Sequence, residues 1–271
     1  MATIRYKRVQ DAEGVTKKVY ENIMRTYGCP EPHGIYQLMG HTPDFLEASW
    51  ARSRYLFGDD TQFTLRDKHV LTLGISATNN CEYCVRIHTN RLVSLGMNTS
   101  QLTELMGVVD VTNGLAKFCE GTRAGDKPVI PEYAIGQGCQ YADKALGEVA
   151  RDLGNEPVDP MYAIMARWPE FLRLAWQQAR LCFSEAGSLG IKLKHMLAYS
   201  VAATSGADHL IAHHARRLKD IGTTEAEFME MLLIVDLTCG YNRYVQGLQA
   251  DQEEKPFGEG AEADKAASTR R

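Results

Sequence analysis

The sharpest chemical signal in the chain is the run Asn79-Asn80-Cys81-Glu82-Tyr83-Cys84-Val85-Arg86-Ile87-His88. Read as a helix start capped by Asn80, it puts Cys81 in the first turn, where unpaired backbone N–H groups and the helix dipole favour an anion such as a thiolate. Cys84 follows three residues later and His88 four after that, so the two sulfurs and the imidazole share one helical face. The spacing allows a disulfide to close, a thiol to be more acidic than free cysteine, and a base to stand beside the second sulfur. It also leaves a second chemistry open. Cys-x-x-Cys serves zinc as well as redox sites, and His88 with His69 would complete a Cys₂His₂ set. A c-type haem attachment is excluded, because Val85 rather than a histidine follows Cys84.

The elements that must position these residues occur twice. Displaced by 126 positions, the chain aligns Lys68-His69 with Lys194-His195, His88 with His214, Arg91-Leu92 with Arg217-Leu218, and Trp50 with Trp176. Glu104 likewise meets Glu230, and Asp110 meets Asp236. A shared amphipathic period would scatter leucine matches; it would not pair Trp, Asp and His at one offset, so the pattern is a tandem duplication. The copies span residues 15–118 and 141–244, joined by a Gly- and Pro-rich connector over 119–140. A polar, aperiodic tail, expected to be disordered, occupies 250–271.

Each copy reads as helical. Pro43 after Thr42 suits a first helical position, and Thr224-x-x-Glu227 is a capping box. Val70 to Ile75 is ambiguous, since its apolar residues alternate, but its counterpart from Met196 is Ala-rich, and helix is assigned to both. The expected fold is all-α, two stacked helical units burying apolar faces against each other as a pseudo-dimer.

The second copy has Ala207 and Leu210 where the first has Cys81 and Cys84, so no disulfide cycle is available there, while His195 and His214 persist. That makes it a degenerate packing partner. A sharper reading notes that His209 and His213, with His214 beside them, have a spacing able to chelate a metal. Asp110 and Asp236 read as helix-end or interface residues and Lys68 as a solvated charge. Cys29, Cys119, Cys139, Cys182 and Cys239 read as small buried hydrophobes.

Composition narrows the setting. The chain has 271 residues, 44% of them apolar, and a formal net charge of −4, which argues against a nucleic-acid partner. The N-terminus has no apolar signal core and no run is long enough to span a bilayer, so a cytoplasmic location with no membrane partner is expected. Seven cysteines, an odd number not spaced like a secreted scaffold, are expected to be mostly reduced thiols.

Leu65-Arg66-Asp67-Lys68-His69 before an apolar helix, then Asn-Asn-Cys-Glu-Tyr-Cys, His88 and a turn at Gly96, resembles the alkylhydroperoxidase D-like, or carboxymuconolactone decarboxylase, family. The resemblance covers about residues 33–118 and, through the repeat, 159–244. It implies an all-helical homo-oligomer acting as a thiol-dependent peroxidase or thiol–disulfide oxidoreductase. Cys84 would be the peroxide-attacking thiol, Cys81 the resolving thiol and His88 part of a proton relay. The relay glutamate that the family usually carries twelve residues before the first cysteine is His69 here, and imidazole also relays protons near neutrality. The implied substrate is a hydroperoxide or a disulfide, and the implied partner a reducing dithiol protein or small thiol. No cofactor is required beyond the redox-active disulfide. Two alternatives stand beside this reading: a metal-binding protein using Cys81, Cys84 and His88 or the His209 cluster, and a lyase or decarboxylase of the same fold in which the histidines do the acid–base work.

Overall fold

The computed structural model describes residues 5–58, 61–123, 140–152 and 158–248. Among these it contains a short 3-10 turn, Val9–Asp11, then helices α1 (Gly14–Tyr27), α2 (Gly34–Met39), α3 (Pro43–Phe57), α4 (Leu65–Thr78), α5 (Glu82–Ser94) and α6 (Thr99–Thr122). The second set is α7 (Gln140–Asp152), α8 (Pro160–Met165), α9 (Pro169–Cys182), α10 (Ile191–Ser205), α11 (Asp208–Asp220) and α12 (Glu225–Gly247), with no strand among the described residues. Every helix of the second set begins 126 residues after its counterpart. The protein is an all-α tandem duplication. Helix α6 runs on to Thr122, so residues 119–122 are helix rather than connector. The rest of the expected connector, 124–139, and the expected tail lie outside the described residues.

The caps explain the matched starts. Thr224 accepts from the Glu227 amide while Glu227 accepts from the Thr224 amide, and Asn98 with Gln101 makes the same reciprocal box on α6. The ambiguous Val70–Ile75 stretch lies inside α4, where every residue from Val70 to Ser76 is buried. A helix covered on all sides has no polar face, which is why its period was unreadable.

The copies interlock. Helix α4 packs on α10 and α12, and α6 packs on α10. Leu71, Leu73 and Ile75 join Met196, Leu197, Val201, Met231 and Ile234 in one core drawn from both copies. A Cβ at Gly74 would overlap Leu197 and press on Val109, so glycine there permits the close crossing of α4 over α10. Beyond the crossing, the end of α6 leaves its own copy: Ala116 and Cys119 pack with Met161, Met165 and Leu172. Reciprocally, Val245 of α12 packs with Tyr20, Tyr36, Leu46 and Trp50 of the first copy.

Charged pairs follow the same exchange. Lys68 Nζ lies 3.5 Å from Glu230, and Lys194 Nζ lies 2.8 Å from Glu104. Lys68 is 1% exposed, so the expectation of a solvated charge is corrected. It also donates to the Leu56 carbonyl, while Glu230 accepts from the Gln62 amide at 2.7 Å. Burial pushes the Glu104 carboxyl up, but Lys194, Ser188 and the Leu189 amide outweigh it and hold the group at about 2. Asp236 pairs with Arg52, and Asp110 accepts from Gln178 at 2.9 Å, so both aspartates are interface residues. Among the described residues, no helix is long and apolar enough to cross a membrane.

Candidate active site

The turn between α4 and α5 sets the site. Cys81, not Asn80, is the N-cap of α5, and its sulfur accepts from the Cys84 amide at 3.4 Å. Asn80 instead takes the left-handed conformation that the turn requires, φ 54°, matched by Gly206 at φ 69° in the second copy. Asparagine tolerates this region, and both residues are turn signals, which is how one came to be read as a cap. Helix α12 clamps the turn from the other copy. Gln246 donates to the Asn79 carbonyl at 2.6 Å, Asn79 donates to Asn242 at 3.1 Å, and Asn242 donates to Ser76 at 3.2 Å.

Cys81 and Cys84 are joined as a disulfide with their Cα atoms 5.3 Å apart. Cys84 borders a cavity of about 430 Å³ within the usual size of small-molecule sites, and Cys81 stands behind it, 0% exposed. The cavity also reaches His33, His69, His88 and Arg91, and it is closed on one side by Leu237, Thr238 and Tyr241 of α12. The pocket is therefore built by both copies, although only the first supplies its sulfur.

His69 and His88 meet through their Nδ1 atoms at 3.0 Å. A hydrogen bond there requires one ring to be protonated at Nδ1 and the other bare, so the pair holds a single transferable proton between two neutral rings. Burial, and then the neighbouring His33, depress His88 to about 4. Burial, then His88 and Arg91, hold His69 well below the ordinary histidine value. Both rings are consequently neutral at pH 7, and one ring nitrogen outside the bond is left bare.

This burial has a sign for stability. A histidine with a depressed folded pKa binds fewer protons folded than unfolded between that pKa and about 6.5, so stability rises with pH across the window. The urea midpoint is expected to fall as pH drops from about 6.5 toward 4, and His88→Gln is expected to flatten that slope. An unchanged slope in the variant would show that His88 is not a buried neutral group.

The second copy repeats the pair without the sulfurs. His195 and His214 meet at 3.1 Å between Nδ1 atoms, with Phe183 stacked on His195 as Phe57 lies against His69. Ala207 and Leu210 occupy the cysteine positions, both buried. His209 Nε2 lies 2.5 Å from Asp159, and His213 Nδ1 lies 3.6 Å from the other oxygen of the same carboxylate. His214 faces His195 instead. The three histidines considered as a metal set are thus divided between two partners, and no group of three or more His, Cys, Asp or Glu side chains among the described residues is arranged to hold a metal ion.

Sequence reasoning missed several cavity residues. Arg91 follows His88 by three positions and so shares its face, a readable signal; His33, Tyr36 and Tyr241 arrive from distant elements and gave none. Cys29 lines the same cavity half-buried, contrary to the core role expected of it, and Cys182 and Cys239 are also half-buried. Cys119 is buried as expected, and Cys139 lies outside the described residues.

Fold and site together define a helical tandem-repeat protein with one dithiol centre at the junction of its copies. The family model for carboxymuconolactone decarboxylases matches residues 43–126 and again 169–253. The chain belongs to the carboxymuconolactone decarboxylase family. A crystal structure from Burkholderia xenovorans LB400, provisionally assigned as a gamma-carboxymuconolactone decarboxylase subunit, shares the fold with a TM-score of 0.56 at 20% identity. That likeness covers 94% of this chain and 98% of the other. No curated protein matches the chain.

Proposed function

We propose that the protein is a thiol-dependent peroxidase or thiol–disulfide oxidoreductase working through Cys84 and Cys81. One observation carries this reading: Cys84 borders a cavity that it shares with a neutral histidine pair, while its bonding partner Cys81 is sealed behind it. The Cys84 thiolate attacks the terminal oxygen of a hydroperoxide; the O–O bond breaks, an alcohol leaves with a proton, and a sulfenic acid remains. Cys81 then attacks that sulfur, releasing water and closing the disulfide. An external dithiol supplies two electrons by attacking Cys84, the sulfur on the cavity side. Cys81 is the leaving thiolate, steadied by the helix N-terminus and the Cys84 amide. A cytoplasmic setting, where dithiol reductants are maintained, suits this cycle.

In this scheme His88 takes the thiol proton and His69 shares it. The His69→Ala variant tests the relay. Oxidation of the reduced protein by hydroperoxide should slow by about 10²-fold at neutral pH, since a positioned base contributes on that order. The deficit should vanish above the thiol's own pKa, where no proton remains to be removed. His195→Ala, in the copy without sulfurs, should leave the profile unchanged. Reduced protein that does not consume hydroperoxide or a disulfide at any pH would sink the proposal.

The lyase reading draws on the second copy, where the histidine pair survives without cysteines. It makes the thiols dispensable and is separated from the first by replacing Cys84.

A further inference from the structure

The cavity at Cys84 has a charge balance that thiol chemistry does not require. Its lining contains Arg86 and Arg91 and no aspartate or glutamate. Arg86 lies over the Tyr83 ring at 5.7 Å. Arg91 is half-buried, and its guanidinium makes no ion pair or hydrogen bond among the described residues. Its charge is nevertheless felt inside the cavity, at His33 and His69. Taking a cation partly out of water without a counter-ion is unfavourable, so an unpaired guanidinium in such a wall calls for an anion from outside. A second polar atom in the same lining also lacks a partner: His33 Nδ1 is buried with no hydrogen bond. Ile35, Tyr36, Phe57 and Leu237 give the cavity an apolar and phenolic side, while Ser53, Thr72, Asn90, Ser94, Thr238 and Asn242 add neutral polar groups but no counter-charge.

We propose that Arg91, with His33 beside it, is an anion subsite, and that the substrate is a small organic acid. Its carboxylate meets Arg91, its apolar body lies along Tyr36, Phe57 and Leu237, and its reactive bond faces Cys84. The reactive bond rests on the thiol reading above; the subsite does not, because binding needs no turnover. For a hydroperoxy acid, sulfur takes the terminal oxygen, the O–O bond breaks, and the hydroxy acid leaves once its alkoxide is protonated.

Titration calorimetry on the full-length oxidised protein, with octanoate and 1-octanol as probes of equal chain length, tests the subsite. The protein should bind octanoate about 10-fold or more tighter than the alcohol, the range of a charge-assisted contact. Arg91→Gln should erase that preference and Arg91→Lys retain part of it, each variant being checked for an unchanged unfolding midpoint. Should Arg91→Gln fail to fold, added salt is expected to reduce the preference in the parent and in Arg91→Lys. Equal affinities, no binding of either probe, a preference that survives in Arg91→Gln, or one indifferent to salt would overturn the proposal. Hydroperoxide consumption is scored separately. An acid preference without it would keep the subsite and discard the peroxidase reading, and consumption without an acid preference would do the reverse.

Discussion

Cys84→Ser is expected to abolish hydroperoxide-dependent turnover, a loss of about 10³-fold or more, because a hydroxyl in that position is not an appreciable nucleophile at neutral pH. Cys81→Ser should behave differently. Its Cys84 still faces the cavity and should react once with hydroperoxide, but the sulfenic acid then has no resolving thiol and turnover stops after one equivalent. Dimedone labelling of Cys84 in that variant, set against continuous peroxide consumption by the parent, reads both steps. A Cys84→Ser protein with full activity toward its substrate would move the chemistry to the histidine pair, as the lyase reading requires.

The largest structural effect is expected at the crossed ion pairs. Lys68 and Glu230 are both buried and come from different copies. Removing one partner leaves the other charge uncompensated in the interior, which costs about 3–5 kcal/mol. Lys68→Met and Glu230→Gln should each show such a loss in denaturant unfolding. The double variant, which removes both charges, should recover most of it. By contrast, breaking the exposed Lys117–Glu120 pair should cost under about 1 kcal/mol. Losses below about 1 kcal/mol in both single variants would mean that the copies are not held in register by these charges.

The duplication was legible because its markers are rare residue types. Trp50 and Trp176, or His88 and His214, do not align by chance, and the helix starts keep the same spacing. Which faces meet was not legible. The exchange of α6 and α12 between copies depends on contacts such as Lys68 with Glu230, whose two residues are far apart in sequence and whose counterparts carry the same charges. A charge pattern repeated in both copies fits pairing within a copy as well as between copies.

The reactive centre divides in the same way. Cys81, Cys84 and His88 lie within one turn and helix, so local spacing brought them together. The relay role of His69 came through the family resemblance, and the fold sets it 3.0 Å from His88. The cavity wall was hidden, since Tyr241 and Leu237 come from the opposite copy and His33 from the chain before α2. Asn80 shows a local failure of another kind. Asparagine serves equally as a cap and as a left-handed turn residue, and only the backbone decides between them.

The proposed function requires the pairing of two particular sulfurs in response to substrate. Fully reduced protein should be treated with one equivalent of an organic hydroperoxide, alkylated, digested and mapped by mass. The expected result is a Cys81–Cys84 disulfide, two mass units lighter than the dithiol, with Cys29, Cys119, Cys139, Cys182 and Cys239 alkylated. Recovery of Cys81 and Cys84 as freely alkylated thiols after the hydroperoxide has been offered would contradict it.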